Sequence, residues 1–216
     1  MERLQIRNET EKDYAIVEQI TREAFWNLYV PGCEEHYLAH ILRGHADFVP
    51  ELDFVAELDG QVIGNVMYTK STLTSQLGRK KQILTFGPVC IHPDFQRKGY
   101  GKALLEHSFC KALELGYDLI VIFGNPGNYV GLGFKSCKKY NICMEGGVYP
   151  SAMLAKELKP DALSVEEGPW TYSDSPAYHS VDSAEAERFD QQFAPKEKRY
   201  QASQEEFYIH SHSFIQ

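Results

Sequence analysis

The sequence predicts an α/β domain with a mixed (α+β) sheet, and three features carry that prediction. The run "DFVAELDGQVIGNVMYTKSTL" holds two apolar strands joined at Asp59-Gly60, a dipeptide that tolerates the positive φ of a tight hairpin. A helix-period stretch, "KALLEHSFCKALEL", is followed at once by the wholly apolar "LIVIF", a strand of buried type. Strand, helices, antiparallel meander and then strand–helix–strand is an order that only a mixed sheet with helices on its faces accommodates.

In chain order, "LQIR" reads as a first strand. Asn8 or Thr10 can cap a helix whose apolar positions Ile16, Val17, Ile20 and Ala24 follow helical spacing. A second helix is expected from about Glu34 to Leu42, after the breaker "VPGC". The hairpin comes next, then a polar tip "LGRKK" and the strand "QILTFGPVCI", where Gly87-Pro88 should force a bulge or a splay because proline has no amide to give the ladder. The following helix should bury Leu105, Phe109, Ala112 and Leu113 and stop at Gly116. "GNYVGLGF" is a short turn or helix leading into a last strand region. Residues 1–150 thus read as the domain. The polar, acidic stretch 151–216 reads as an extension packed on it through Trp170, Tyr172 and Phe189.

The charge balance is acidic, 22 Lys and Arg against 30 Asp and Glu for a net −8, which disfavours nucleic acid as the main partner. No run is long and apolar enough to cross a bilayer, and "MERLQIRNETEKDY" lacks the apolar core of a secretory signal. A cytoplasmic protein without membrane attachment is the expectation. Five scattered cysteines with no C-x-x-C pair point to reduced thiols, not to a zinc site or a disulfide framework. The pair His210 and His212 has no companion cluster, so no metal is expected.

Against that acidic background, "DFQRKGYGKALL" gathers Arg97, Lys98 and Lys102 around Gly99 and Gly101. The amides at a helix start have no intrahelical acceptor, the helix dipole adds partial positive charge there, and glycines let a ligand approach the backbone. The stretch is suited to a di- or polyphosphate. A Walker loop would close on G-K-S/T, and a dinucleotide fingerprint needs a third small residue where Leu104 stands, so neither fits.

Gln96-x-x-Gly99-x-Gly101, between the strand "PVCIHP" and an amphipathic helix, resembles the acyl-CoA pyrophosphate loop of the GNAT superfamily of N-acetyltransferases. The likeness extends over about residues 3 to 145, through "IRNETEKDYAIVEQITREAF", "FVAELDGQVIGNVMY" and "YDLIVIFGNPGNYVGLGF". It is most similar to a bacterial branch carrying G-x-P-x-Y-Y-x-x-x-G-F, of whose tyrosine pair this chain keeps only Tyr129. The resemblance implies a GNAT-like fold whose fourth and fifth strands splay around the pantetheine arm. It implies that Val89 and Ile91 bond that arm, that Gln96, Arg97, Lys98, Gly99, Tyr100, Gly101 and Lys102 hold the pyrophosphate, and that Asn125 touches the arm. It further implies acetyl-CoA as co-substrate, direct acetyl transfer to a primary amine of a small molecule or protein, and Tyr129 as the acid for the leaving thiolate; a homodimer is compatible with it.

The general base is not evident. "ILTFGPVCI" holds no carboxylate, and Glu34, Glu35, His36 and His92 are the candidates nearby. Cys90 alternates with Val89 and Ile91 and should face the other side of the sheet. Two other readings stand beside the enzyme: a non-catalytic acyl-CoA sensor, which the missing strand carboxylate favours, and a transferase of a longer acyl group such as succinyl or propionyl.

Overall fold

The computed structural model describes residues 3–163 and 168–216. Strand β1 (Leu4–Asn8) pairs antiparallel with β2 (Phe54–Leu58), β2 with β3 (Gln61–Ser75), and β3 with β4 (Lys80–Ile91). Asp59 and Gly60 join β2 to β3 with φ of 49° and 86°, the paired left-handed conformation that a two-residue hairpin needs. Strand β5 (Leu119–Phe123) lies parallel to β4, and β8 (Met153–Glu157) runs between β5 and the short β6 (Lys135–Ser136). Strand β9 (Trp170–Ser173) pairs with the far end of β3 and with β7 (Ile142–Cys143). The result is a nine-stranded mixed sheet, as the sequence predicts.

Alternation along the strands sends side chains to two cores. On one face Phe54, Ala56, Val66, Tyr68, Leu84 and Phe86 pack with helix α3 (Tyr100–Glu114). On the other, Val55, Val62 and Cys90 meet Val17 and Ile20 of helix α1 (Tyr14–Phe25), while Met67 meets Ala39 and Leu42 of α2 (Glu35–Leu42). Each such aliphatic side chain contributes about 1.5–3 kcal/mol by leaving water.

Two details differ from the sequence reading. Neither Asn8 nor Thr10 caps α1: Asp13 holds the N-cap position, and its carboxylate accepts from Thr10 N, Thr10 Oγ1 and the Arg7 guanidinium, which draws the helix start down the chain. Leu113 is 45% exposed, because α3 centres its apolar face on Leu104, Leu105, Phe109 and Ala112 and carries Leu113 to the rim.

Residues 151–216 are built into the sheet through β8 and β9. Trp170 and Tyr172 are buried with Leu73, Ile83 and Leu119, and the Tyr172 hydroxyl lies 2.7 Å from Thr85 Oγ1. Helix α5 (Ser183–Asp190) sets Phe189 against the rings of His36, Tyr37 and His40. Asp190 grips the buried Arg22, whose Nε stands 2.6 Å from Asp190 Oδ1.

A second buried ionic group lies under α1. Arg43 donates to Glu9 at 2.8 Å and to Glu18 at 2.7 Å, and Asp53 accepts from Asn65 Nδ2 at 2.9 Å. Burial, with Glu9 close by, pushes the Asp53 pKa far above the ordinary carboxylate value. The folded chain therefore keeps a proton that the unfolded chain releases near pH 4, so this group's contribution to stability falls as pH rises from there through neutrality. Asp53→Asn keeps an acceptor for Asn65 and should raise stability at pH 8 by about 1–3 kcal/mol while leaving pH 4 unchanged. Urea melts at both pH values check this; equal effects at both would remove the linkage.

Candidate active site

Strands β4 and β5 share one paired position, Leu84 with Ile120, and part beyond it. The cause lies in β4. Val66 faces Val89 and Tyr68 faces Phe86, so Gly87 and Pro88 together oppose Met67 in a bulge that bends the strand, at the position where the sequence predicts one. Past the bulge, His92 N donates to Ile63 O at 2.8 Å. Counting back by twos, Cys90 also points its backbone at β3, and Val89 and Ile91 point theirs into the crevice. The Ile91 carbonyl accepts from Gln96 Nε2 at 2.9 Å, so the Gln96 side chain braces the turn out of β4.

The crevice ends at the cationic loop. Arg97 has φ 62° and Gly99 φ 90°, and Gly99 is the N-cap of α3. Left-handed residues alternating with ordinary ones turn successive amides toward one side, and the first intrahelical bond of that turn is Ala103 N to Gly99 O at 3.0 Å. A Cβ on Gly99 would touch nothing within 4 Å, so its φ, not crowding, requires glycine there. Arg97, Lys98 and Lys102 are exposed. Lys98 Nζ donates to Asp94 O at 2.9 Å, and Lys102 stands 3.7 Å from Glu106 in a solvated pair of small energetic weight.

Tyr129 closes helix α4 (Pro126–Tyr129) across the crevice from β4. Its ring packs on Phe86 of β4 and on Phe134, with centroids 5.8 and 5.7 Å away. It also lies on the bare Cα of Gly124, where a Cβ would come within 2.5 Å of Tyr129 Cε2. Burial foremost, and Tyr29 in addition, push the phenol's pKa up, so it keeps its proton through the neutral range. Asn125 caps α4, its Oδ1 accepting from Gly127 N at 2.9 Å.

The base candidates separate clearly. His36 is wholly buried, with Nε2 3.1 Å from Asp190 Oδ1, and burial lowers its pKa to about 4, so it belongs to the Arg22–Asp190 node. His92 Nδ1 accepts from Asp94 N and shapes the turn. Glu35 accepts from Glu34 N at 3.1 Å, and burial raises it to about 7. Cys90 faces α1, opposite to the crevice, and burial raises its thiol to about 11.

Two neighbours of the site carry no local signal in the sequence. Tyr178 donates to the Gly87 carbonyl at 3.3 Å and accepts from Thr69 Oγ1 at 3.1 Å, which ties the bulge to the segment after β9. A cleft of about 420 Å3 opens at the end of β5 beside Gly124 and Asn125, with helix α6 (Ala202–Ser211) as its far wall. His210 lines it. Among the described residues no cluster of His, Cys, Asp and Glu could hold a metal ion, and no helix is long and apolar enough to cross a membrane.

Residues 51–136 match the family model described as an acetyltransferase (GNAT) domain, a span from the turn before β2 to the end of β6. No curated protein matches the chain. Among solved structures, the GNAT family N-acetyltransferase YhbS of Escherichia coli in complex with CoA is 24% identical with a TM-score of 0.70, over 84% of this chain and 95% of that one. A GNAT family acetyltransferase of Brucella melitensis in complex with acetyl-CoA is also 24% identical, with a TM-score of 0.63 over 82% of this chain and 98% of that one. A GNAT family acetyltransferase of Staphylococcus aureus Mu50 is 11% identical, with a TM-score of 0.53 over 73% and 100%. The mixed sheet parted at β4 and β5 and these matches agree: the chain has the GNAT fold, and its residues 51–136 match the acetyltransferase (GNAT) domain model.

Proposed function

We propose that the protein is an N-acetyltransferase that moves the acetyl group of acetyl-CoA directly to a primary amine. The observation that carries this reading is the crevice between β4 and β5, which ends on the glycine and cation loop of residues 96–102. A bare loop of outward amides with three exposed cations fits a pyrophosphate, and the unpaired edge of β4 fits an amide-bearing arm. Both solved relatives named with CoA or acetyl-CoA bound share the fold. Acetyl-CoA supplies an activated thioester.

The chain's own residues divide the work. The amides from Gln96 to Lys102, with the charges of Arg97, Lys98 and Lys102, hold the pyrophosphate. Val89 and the Ile91 amide bond the arm as a further strand would, the Ile91 carbonyl being taken by Gln96. Asn125, committed to its cap, offers the arm only its amide nitrogen. As the amine nitrogen bonds to the carbonyl carbon and the carbon–sulfur bond breaks, Tyr129 gives its phenolic proton to the leaving sulfur. Glu35, which burial raises to about 7, sits beside Tyr29 and can take the ammonium's proton through ordered water.

The test is thermal unfolding with acetyl-CoA, followed by a thiol-release screen over amines. A ligand at about a hundred times its Kd adds about 2.7 kcal/mol to the native state. A raised midpoint with thiol release is the expected result. A raised midpoint with no release on any amine would make the protein a sensor, and a faster rate with succinyl- or propionyl-CoA would name a longer donor.

A further inference from the structure

We propose that the cleft between the end of β5 and α6 is the acceptor subsite, and that it takes a primary amine carried on a flat apolar body, an arylalkylamine, with Glu206 as the counter-ion. This rests on the acetyltransferase reading for the position of the donor.

Size and lining argue for a small molecule. A volume of about 420 Å3 lies in the range of small-ligand pockets. Tyr29, on the loop after α1, stacks on Phe207 of α6 with centroids 4.6 Å apart and planes at 30°, a ready-made aromatic wall. Phe123 and Phe207 remain 47% and 42% exposed, and Met144 lies in the same lining, so an apolar body seated there removes costly surface from water.

The polar groups specify the rest. Among the described lining residues Glu206 is the one acidic side chain, His210 is also present, and no Lys or Arg is there. A cationic ammonium finds its partner, whereas a carboxylate or phosphate on the same body meets Glu206 with no Lys or Arg to offset the repulsion. Ser203 Oγ, one turn before Phe207, is buried at the cleft wall with no hydrogen-bond partner among the described residues. Natural folds rarely leave such a hydroxyl unused, and an amine N–H or a ring hydroxyl would satisfy it.

The wall is held in advance of any ligand. Gln204 Nε2 donates to Asn27 O at 2.9 Å and to Arg199 O at 3.0 Å, and Ser151 Oγ donates to His210 O at 3.0 Å. The cleft also lies beside the chemistry: Gly124 lines it and lies against the Tyr129 ring, and Tyr29 of its wall is near enough to act electrostatically on Tyr129.

Calorimetric titration of 2-phenylethylamine, phenylalanine and spermidine into the full chain tests the assignment without needing turnover. Saturable binding of 2-phenylethylamine is expected, at least about tenfold tighter than phenylalanine, which carries the same ring plus a carboxylate. Glu206→Gln, isosteric and exposed, should weaken it about tenfold, and Phe207→Ala by a similar factor. The acetyl-CoA-induced rise in unfolding midpoint, measured on the same three proteins, reports separately on the donor site and should persist. No saturable binding of 2-phenylethylamine, a preference for phenylalanine or spermidine, or affinities unmoved by both substitutions would overturn the proposal. Loss of the acetyl-CoA effect in the unsubstituted chain would instead overturn the acetyltransferase reading.

Discussion

Gly101→Glu is expected to raise the Kd for CoA more than about a hundredfold while leaving the free protein at least as stable as before. The two halves of that result have separate causes. Gly101 is the second residue of α3, and a Cβ there would meet only Ile91 Cγ1 at 3.4 Å. A helix interior prefers almost any residue to glycine by up to about 1 kcal/mol, and an anion in the first turn complements the helix dipole. The substitution thus suits the empty helix. It also places a carboxylate where the pyrophosphate is proposed to lie, and like charges brought together at a binding surface cost several kcal/mol. Calorimetry with CoA and unfolding of the free protein together decide it. Unchanged affinity would detach the phosphate role from this loop.

Tyr129→Phe should lower kcat about a hundredfold, within the usual range for a lost acid, with little change in KM for acetyl-CoA. Phenylalanine keeps the packing on Phe86, Phe134 and Gly124, so the unfolding midpoint should stay where it was. Gly124→Ala gives the complementary case. The added methyl overlaps the Tyr129 ring, which is wedged between two phenylalanines, and overpacking of that kind costs about 1–3 kcal/mol. That variant should lose stability and activity together, with its phenol still present. If Tyr129→Phe weakens acetyl-CoA binding as much as it slows turnover, Tyr129 is a binding residue and the proton comes from elsewhere.

What could be read in advance was whatever a few adjacent residues determine. Asp59-Gly60 announces its hairpin and Gly87-Pro88 its bulge, because each conformation is fixed by local sterics. The apolar runs give the strands and their two faces for the same reason. The α1 cap went astray because Asn8 and Thr10 are good cap residues in isolation, whereas Asp13 is fixed by Arg7, an ion pair that local propensity does not register. The cleft was invisible because its parts come from distant stretches. Tyr29 and Phe207 stack with nearly the whole chain between them, and nothing near either residue names the other. The stretch from 151 onward reads as an extension anchored by Trp170, Tyr172 and Phe189, but β9 itself escapes notice, since it is only 4 residues long and finds its place by register against Thr72–Ser75.

The position of α6 has an evolutionary corollary. The loop and strand proposed to grip the donor come from one continuous stretch, residues 87–102, whereas the wall facing the acceptor hangs from Asn27, Ser151 and Arg199 by contacts that involve none of that stretch. Sequence drift in the outer helix can therefore redraw the guest list without disturbing the engine. Descendants of such an ancestor would share a donor and differ in what they acylate, and exchanging residues 200–211 between them should exchange their preferences.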